Sequence, residues 1–462
     1  MNNTVIVREC EEYDPEKIET MVADGMQQLG YTPSGKVFAK PNVVVAYQTD
    51  KLGKHAFTPP SFVGAGLKAV SKVPGVKRID VGENVAIGTP TRLCFEHAGY
   101  YDEIKHVRKT AGCPVGIFCI DEELRDTQFV GGVVHDTLRV ARRMARADTK
   151  IYFPKLKCHC VSKMTGAVKL NVGICSDDER AIRHDFMLNE KIVGLLTVGM
   201  PDFIVMDAIN VGMGNEAFPT VRKLGLVLMG TNPIAVDMVA ARLLGYALED
   251  VPHLALAVER GYGPASLDDI IIAGDLGSLG EIDERAQRIL PYDDEYTRWQ
   301  DVGKELKRMN SPMRFVWGPY ATQKDDKCLT GCVMGVKMFL GLMERYAGVQ
   351  AFAHADPVVF IIGRPAETVD AKGAEVFIFG SCAKANIINA KKIIHIDKCF
   401  TTAVDMIMKI GHRMGMPSPF RDPAFLMPYA KAILAASFRK CLSLRYLQDM
   451  VYFMTRGLLR KI

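Results

Sequence analysis

Short apolar runs alternate with helical patterns through the first half of the chain, as in proteins whose helices pack on a mostly parallel sheet. Apolar runs typical of buried strands lie at residues 37–47, 76–81, 115–120, 151–153, 202–207 and 224–229. Helical patterns begin at residue 58 and lie at residues 89–98, 138–147, 184–198 and 233–244. This alternation predicts an α/β fold for the larger, N-terminal region.

The same alternation restarts on a smaller scale after residue 312. Strands are predicted at 314–317, 358–362, 375–379 and 392–396, with helices near 334–346 and after Cys399. A charged helical pattern at 295–309 separates the two units. The chain is therefore divided into an α/β region at 1–290, a helical linker at 291–311, a smaller α/β domain at 312–416 and a tail at 417–462.

The tail is basic and periodically apolar. Residues 420–462 contain eight Lys or Arg and two Asp, interleaved with Leu, Met, Phe and Tyr. This pattern predicts two amphipathic helices. They would pack on the body of the protein or on a second copy, which gives a homo-oligomer. The alternative is attachment to a membrane surface.

Composition excludes some classes of protein. A chain of 462 residues exceeds what one hydrophobic core supports. The net charge of +5, two Trp and 8% aromatic residues do not favour nucleic-acid binding. No apolar run is long enough to span a membrane and no export signal begins the chain, so the cytoplasm is the expected location, with peripheral membrane attachment as the alternative. The twelve Cys are then reduced thiols or metal ligands.

The stretch from Tyr152 to Gly173 concentrates polar side chains directly after the apolar run that ends at Phe153. Open α/β sheets bind ligands at the carboxyl ends of their strands, and clustered lysines suit a phosphate or a carboxylate. The stretch therefore predicts a cleft for an anionic small molecule. A solvated loop carries similar residues, and this alternative stays open.

The residues assigned to this cleft fall into two groups. Candidate catalytic residues are His159, Lys157, Lys169 and Asp207; candidate ligand-binding residues are Lys40, Asn42, Glu83, Thr165, Asn171 and Asp237. His159 suits proton transfer because imidazole titrates near neutral pH, and a structural histidine is the alternative. Asp237 would otherwise cap a helix or form an internal ion pair.

Four cysteines of the smaller domain form a candidate metal site, namely Cys328, Cys332, Cys382 and Cys399. They lie at strand ends or helix starts, which parallel strands bring to one edge of a sheet. Four thiolates are the ligand set of a 4Fe–4S cluster. A zinc site and buried structural thiols remain as alternatives. A competing set, Cys158, His159, Cys160 and Cys175, is disfavoured because alternate strand residues face opposite sides.

The central stretch resembles the signature of the domain of unknown function family 362. The resemblance covers roughly residues 35–275 and is carried by Lys157-x-His159, Thr165-Gly166-Ala167-x-Lys169-x-Asn171, Lys40-Pro41-Asn42, Gly82-Glu83 and Ala235-Val236-Asp237. It implies an α/β fold, frequent association with iron–sulfur domains and an architecture distantly similar to nickel-pincer lactate racemases. The cysteine arrangement of the smaller domain resembles the cluster-bearing small subunits of hydrogenases and of respiratory complex I.

Two functional hypotheses follow from the sequence. The first is an iron–sulfur redox protein, an oxidoreductase, whose 4Fe–4S cluster exchanges electrons with an anionic small molecule in the Lys/His/Asn-lined cleft and with an electron-transfer partner. The second is a non-redox enzyme or binding protein for an anionic ligand, with structural cysteines.

Overall fold

The computed structural model describes residues 2–47, 53, 55–184, 186–292, 299, 301–319, 331–399 and 401–459. The strands are β1 (Thr4–Glu9), β2 (Gly35–Pro41), β3 (Val76–Glu83), β4 (Val115–Cys119), β5 (Arg125–Phe129), β6 (Thr137–Ala141), β7 (Thr149–Phe153), β8 (Lys155–His159), β9 (Lys163–Thr165), β10 (Phe203–Met213), β11 (Thr220–Gly230), β12 (Ile271–Gly274), β13 (Arg314–Trp317), β14 (Val358–Ile362), β15 (Val369–Asp370), β16 (Glu375–Phe379), β17 (Ile387–Ile388) and β18 (Lys392–Ile396).

Helices cover both faces of the sheets. The α-helices are Pro15–Gln28, Pro60–Ser71, Thr91–Ala98, Tyr100–Val107, Arg142–Ala145, Asp177–Ala181, Leu188–Gly194, Leu196–Gly199, Pro233–Leu243, Pro252–Glu259, Leu279–Ala286, Val302–Arg308, Cys332–Ala347, Ala403–Ile410, Pro423–Leu442 and Arg445–Leu459. Short 3-10 helices are Ile120–Glu122, Lys169–Ile174, Leu248–Asp250, Leu267–Asp269, Val349–Phe352 and Pro419–Arg421. The α/β fold class expected from the sequence is confirmed.

The larger sheet has ten strands in the order β12-β1-β11-β10-β7-β2-β3-β4, with β8 beside β10 and β9 beside β8. Most neighbours are parallel, whereas β11 runs antiparallel to β1 and β10, and β9 runs antiparallel to β8. Two buried cores cover its two faces. Because β2, β3 and β7 are parallel neighbours, their carboxyl ends meet at one edge, where Pro41 pairs with Phe153.

The smaller sheet is wholly parallel, with the order β13-β14-β16-β18. Its four strands have the bounds predicted from their apolar runs. The helices Cys332–Ala347 and Ala403–Ile410 share a buried core with this sheet, in which Phe339 packs with Phe360 and Phe377. The boundaries proposed between domains stay a prediction.

Three local expectations were wrong. Residues 138–147, expected as a helix, form β6 and one helical turn, since Leu138 and Val140 are buried and the strand pairs with β5. The helix expected at 184–198 is two short helices, Leu188–Gly194 and Leu196–Gly199. The strand expected at 202–207 continues to Met213, because residues 210–213, which the glycines would favour as a loop, pair with β11.

The two expected tail helices are present. Phe425 and Tyr429 of the first helix pack against Tyr47 and Leu93, so the tail rests on the body of the protein. The Tyr429 hydroxyl donates a hydrogen bond to the Gly88 carbonyl. Within the described ranges, no helix is both long enough and apolar enough to cross a membrane.

Candidate functional site

The central stretch is mostly regular and buried structure. After β7 it forms the hairpin β8–β9, in which Lys157 pairs with Thr165. The Thr165 hydroxyl donates to the Lys155 carbonyl at 2.9 Å, which ties the hairpin together. The chain then enters the 3-10 helix Lys169–Ile174. These residues therefore do not form a solvated loop.

A cavity of about 230 Å³ lies between this stretch and the helices Cys332–Ala347 and Ala403–Ile410. Its polar wall is formed by His159, Cys160, Lys169, Arg180, His184 and Glu216. Its apolar wall is formed by Met334, Met338, Leu342, Val404, Ile407 and Phe425. The larger region supplies the polar wall together with apolar residues such as Val45 and Ile87, while the smaller region and the first tail helix supply the apolar wall. The cavity therefore suits a molecule with a charged end and an apolar body.

Lys169 is the residue of the polar wall that is best placed to bind an anion. Within the described part of the chain its ammonium has no hydrogen bond or ion pair. Burial lowers its pKa to about 8, and the nearby Glu216 carboxylate and Cys160 thiol oppose that shift. Arg180 is already engaged, since its guanidinium donates to the carbonyls of Val172 and Asn84. An anion in the cavity would therefore find its direct partner in Lys169.

Three potential ligand atoms, on His159, Cys160 and Glu216, lie within 4.8 Å of one another. Nδ1 of His159 accepts hydrogen bonds from the N–H groups of Val161 and Ser162, at 3.1 and 3.2 Å. Burial lowers the pKa of this imidazole, so the ring is neutral. Because Nδ1 accepts hydrogen bonds, the single ring proton lies on Nε2. Nε2 faces Glu216 at 3.6 Å and offers a hydrogen rather than a lone pair. This geometry favours a donor over a metal ligand.

The competing cysteine set does not gather around His159. Cys158 donates to the hydroxyl of Tyr292 at 3.0 Å. Cys175 is fully buried in the core of the larger region. Cys160 instead contacts Glu216, at 3.0 Å from the carboxylate oxygen. The expectation that Cys158 and Cys160 share a face opposite His159 is wrong: β8 ends at His159, and Cys160, in the turn that follows, lies on the same side as His159.

Two candidate catalytic residues are engaged in fixed contacts away from the cavity wall. The Lys157 ammonium donates to the carbonyls of Ala56 and Glu216. Asp207 accepts from Lys155 at 2.7 Å and from the Tyr13 hydroxyl at 3.1 Å. Both are completely buried. These contacts join β8 and β10 to neighbouring loops and hold the strand ends on which the cavity is built.

Lys40 and Glu83 form a buried ion pair at the ends of β2 and β3. Glu83 also accepts the backbone N–H groups of Val43 and Asn84. A Cβ added at Gly173 would lie 2.3 Å from Glu83 and 2.4 Å from Lys40, so only glycine fits here. Lys40, Asn42 and Glu83 line a small pocket of about 70 Å³, and Lys169 and Arg180 border both this pocket and the larger cavity.

Asn171 and Asp237 position the turn that carries Lys169. Asn171 accepts from the Tyr152 hydroxyl at 2.8 Å. Asp237, on the buried helix Pro233–Leu243, accepts the N–H groups of Ala167 and Val168 at 2.7 and 2.9 Å. Burial raises the pKa of Asp237 to about 7. The carboxylate lies so close to Gly166 that an added Cβ would be 2.3 Å away, which explains the glycine of this motif.

Replacement of Asp237 by Ala is expected to lower the free energy of unfolding by about 2 kcal/mol, because two buried N–H groups would lose their acceptor. Denaturant titration would measure the loss. Asp268→Ala, at an exposed carboxylate, is the matched control and should change stability by no more than about 0.5 kcal/mol. Equal small losses in both variants would contradict the capping role.

Three of the four candidate cluster ligands fall within the described residues, and Cys328 lies outside them. Cys332 begins the helix Cys332–Ala347, while Cys382 and Cys399 follow β16 and β18. A Cβ added at Gly380 would lie 3.2 Å from Sγ of Cys332 and 3.7 Å from Sγ of Cys382. Burial raises the pKa of Cys332, and the Cys382 and Cys399 thiols raise it further. The three thiols therefore share one edge of the smaller sheet.

Sequence reasoning missed several residues of the polar wall, namely Arg180, His184 and Glu216. Glu216 follows the strand β10 after Gly214 and Asn215, and its position just past a strand end was the one available signal. Arg180 and His184 lie in and after a short helix whose pattern gives no hint of a binding role. They reach the cavity only because the chain folds back beside Lys169.

Comparison with known proteins supports the family resemblance for part of the chain. Residues 37–242 match the model of a family described as a domain of unknown function, DUF362. A thylakoid-associated protein of Synechocystis sp. is 24% identical over 243 residues, which make up 51% of this chain and 71% of that protein.

Two solved structures are also similar. A crystal structure of a Thermotoga maritima protein is 14% identical with a TM-score of 0.26, and the match covers 46% of this chain and 55% of that one. The lactate racemase apoprotein of Thermoanaerobacterium thermosaccharolyticum is 10% identical with a TM-score of 0.34, and the match covers 79% of this chain and 70% of that one. The chain thus spans about half the length of the Thermotoga protein.

Proposed function

We propose that the protein is an iron–sulfur redox protein that binds an anionic small molecule beside Lys169. The observation that carries this proposal is the position of the cysteines directly behind the cavity wall. Cys332 begins the helix whose next turns place Met334 and Met338 in the cavity. Thr402 and Ala403, which closely follow Cys399, line the same wall. A cluster and a bound molecule would then be neighbours across a single layer of side chains.

The surroundings of the cysteines suit a cluster. Cys332, Cys382 and Cys399 would be three ligands, with Cys328 predicted from the sequence as the fourth. The N–H group of Thr401 donates to Sγ of Cys332 at 3.4 Å, and Cys332 stands at the amino end of a helix of 16 residues. Donors and a helix amino terminus offset the negative charge of ligating thiolates. When bound, a 4Fe–4S cluster supplies one-electron transfer.

The lining of the cavity supports an anion with an apolar body as the ligand. The Lys169 ammonium would bind a carboxylate or a phosphate, and the Nε2–H of His159 and the Glu216 carboxylate lie on the same wall. Opposite them, Met338, Ile407 and Phe425 present apolar surface. A molecule with an anionic head and an aliphatic or aromatic body would form an ion pair with the polar wall and pack against the apolar wall. A small, fully polar anion would contact only the polar wall.

Binding of such an anion is expected to weaken as the pH rises past about 8, because the pKa of Lys169 lies there and only its charged form attracts an anion. Calorimetry with aromatic and aliphatic carboxylates and phosphates would show an affinity about tenfold lower at about pH 9 than at about pH 7. Lys169→Gln should remove most of the binding. Lys169→Arg should retain it and abolish the pH dependence, because guanidinium does not titrate in this range.

Lys163→Gln is the matched control, since Lys163 belongs to the same stretch but is exposed. It should leave affinity and pH dependence unchanged. Equal affinity at both pH values in the unmodified protein, or equal loss in the Lys163 and Lys169 variants, would contradict the assignment of the anion to Lys169.

A further inference from the structure

The last helix, Arg445–Leu459, turns its polar side toward the protein. The Arg445 guanidinium donates to the carbonyls of Asp121 and Glu123 at 3.0 and 2.9 Å. Gln448 exchanges hydrogen bonds with the backbone of Arg125 at 2.9 and 2.6 Å. Asp449 accepts from Arg139 at 2.8 Å. These contacts fix the orientation of the helix about its axis.

The apolar side of this helix consequently faces outward. Tyr446, Leu447, Met450, Val451, Phe453 and Met454 are all between 45% and 60% exposed. A helix of a globular protein normally buries its apolar stripe against the core, so this orientation is inverted. The polar contacts with Asp121, Arg125 and Arg139 hold the stripe on the outer side.

The preceding helix, Pro423–Leu442, extends the same kind of surface. Phe425 and Tyr429 face the body, while Met427, Leu434 and Phe438 are 68%, 71% and 63% exposed. Their spacing of seven and four residues places these three on one outer stripe. More than half of the large apolar side chains exposed in the described part of the chain lie between Leu426 and Met454. A patch of this extent marks an interaction surface.

The exposed charges of the tail itself, within the described residues, are basic. Arg421, Lys431 and Arg439 are exposed. The acidic residues of the tail are both engaged, because Asp422 accepts from the Tyr346 hydroxyl and Asp449 accepts from Arg139 and Arg445. The surface therefore combines exposed apolar residues with cationic groups.

We propose that the two tail helices lie on the surface of a bilayer that contains anionic lipids. Phe438, Leu434 and Met450 would enter the boundary between headgroups and acyl chains, and Lys431 and Arg439 would meet anionic headgroups. A second copy of the chain is a poorer occupant, since it would bring two cationic surfaces together. Charge complementarity thus selects the lipid surface, and this inference is independent of the cavity and its ligand.

Sedimentation of the full-length protein with vesicles tests the proposal. The protein should sediment with vesicles of phosphatidylcholine and phosphatidylglycerol, bind more weakly to phosphatidylcholine alone, and detach as salt is added. Lys431→Gln and Arg439→Gln should each weaken binding to the mixed vesicles about fivefold. The double variant Leu434→Ser/Phe438→Ser should weaken it at least about a hundredfold. Ile271→Ser, at an exposed apolar residue of β12, is the matched control and should bind normally.

Two results would overturn the proposal. One is failure of the unmodified protein to sediment with the mixed vesicles. The other is a stable dimer in light scattering that is lost in Leu434→Ser/Phe438→Ser, which would assign the surface to a second copy. Circular dichroism of each variant would confirm that the helices are retained, so that lost binding reports the surface itself.

Discussion

Protein purified without oxygen is expected to contain about four iron atoms per chain and to lose them when Cys382 is replaced by Ser. The reason is the gathering of Cys332, Cys382 and Cys399 at one edge of the smaller sheet, where burial and the two neighbouring thiols raise the pKa of Cys332 and so the cost of ionising it. A cationic iron centre removes that cost by binding the thiolates together. Iron and sulfide analysis, with an electron paramagnetic resonance spectrum of the reduced protein, would measure the outcome.

Cys441→Ser is the matched control, because Cys441 is an exposed thiol of the tail. It should retain the iron and the spectrum. Iron-free protein would favour the second hypothesis, a non-redox enzyme or binding protein with structural cysteines. In that case serine at Cys332, Cys382 and Cys399 should leave anion binding at Lys169 intact, so the two halves of the proposed function can fail separately.

Replacement of Glu83 by Leu is expected to lower the free energy of unfolding by about 3–5 kcal/mol. The change would leave the Lys40 ammonium buried without its carboxylate and the Val43 N–H without an acceptor. Burial lowers the pKa of Lys40 and raises the pKa of Glu83, which disfavours the charged form of each residue. The opposite charge of the partner counteracts both shifts, so each residue stays charged only while the other is present. Denaturant titration of the Glu83→Leu variant would measure this loss in the free energy of unfolding.

The double variant Lys40→Met/Glu83→Leu should recover much of that stability, since neither charge is then buried alone. Asp102→Asn serves as a control, because Asp102 pairs with Lys105 at the surface, where the side chains are 86% and 69% exposed. This change should cost no more than about 0.5 kcal/mol. Additive losses in the double variant would contradict the coupling between Lys40 and Glu83.

Continuous apolar runs made the sheets predictable. The central strands β14 and β16 are almost completely buried and apolar except for Glu375, whereas the edge strands β13 and β18 are short apolar runs that each begin with a basic residue. The cysteines were assigned to strand ends and a helix start by the same logic, and those described share one sheet edge. In the larger region, the motif lysines and the carboxylate of Glu83 were found, but the backbone carbonyls that hold Lys157 were not.

Other features depend on contacts between distant parts of the chain. Lys157 and Lys169 belong to one short stretch, yet the first is held by backbone carbonyls and the second has an open cavity before it. The strand β6 was mistaken for a helix because Arg139 interrupts its apolar residues, and the ion pairs of Arg139 with Asp178 and Glu179 form only in the folded protein. The outward orientation of the last helix could not be predicted for the same reason. The periodicity of the sequence shows that the helix has an apolar stripe, but it does not show whether the stripe faces the protein or the solvent.

The place of β1 in the larger sheet also determines when the protein can fold during its synthesis. Residues Thr4–Glu9 are synthesised before their partner strands, and they pair with β11 and with Ile271–Gly274 of β12, more than two hundred residues later. Contacts of such long sequence separation form slowly, and they leave strand edges unpaired in the meantime. The cavity is completed later still, because Phe425, which lines it, is synthesised after the strands of both sheets. The nascent chain therefore has no complete binding cavity until the first tail helix has been made.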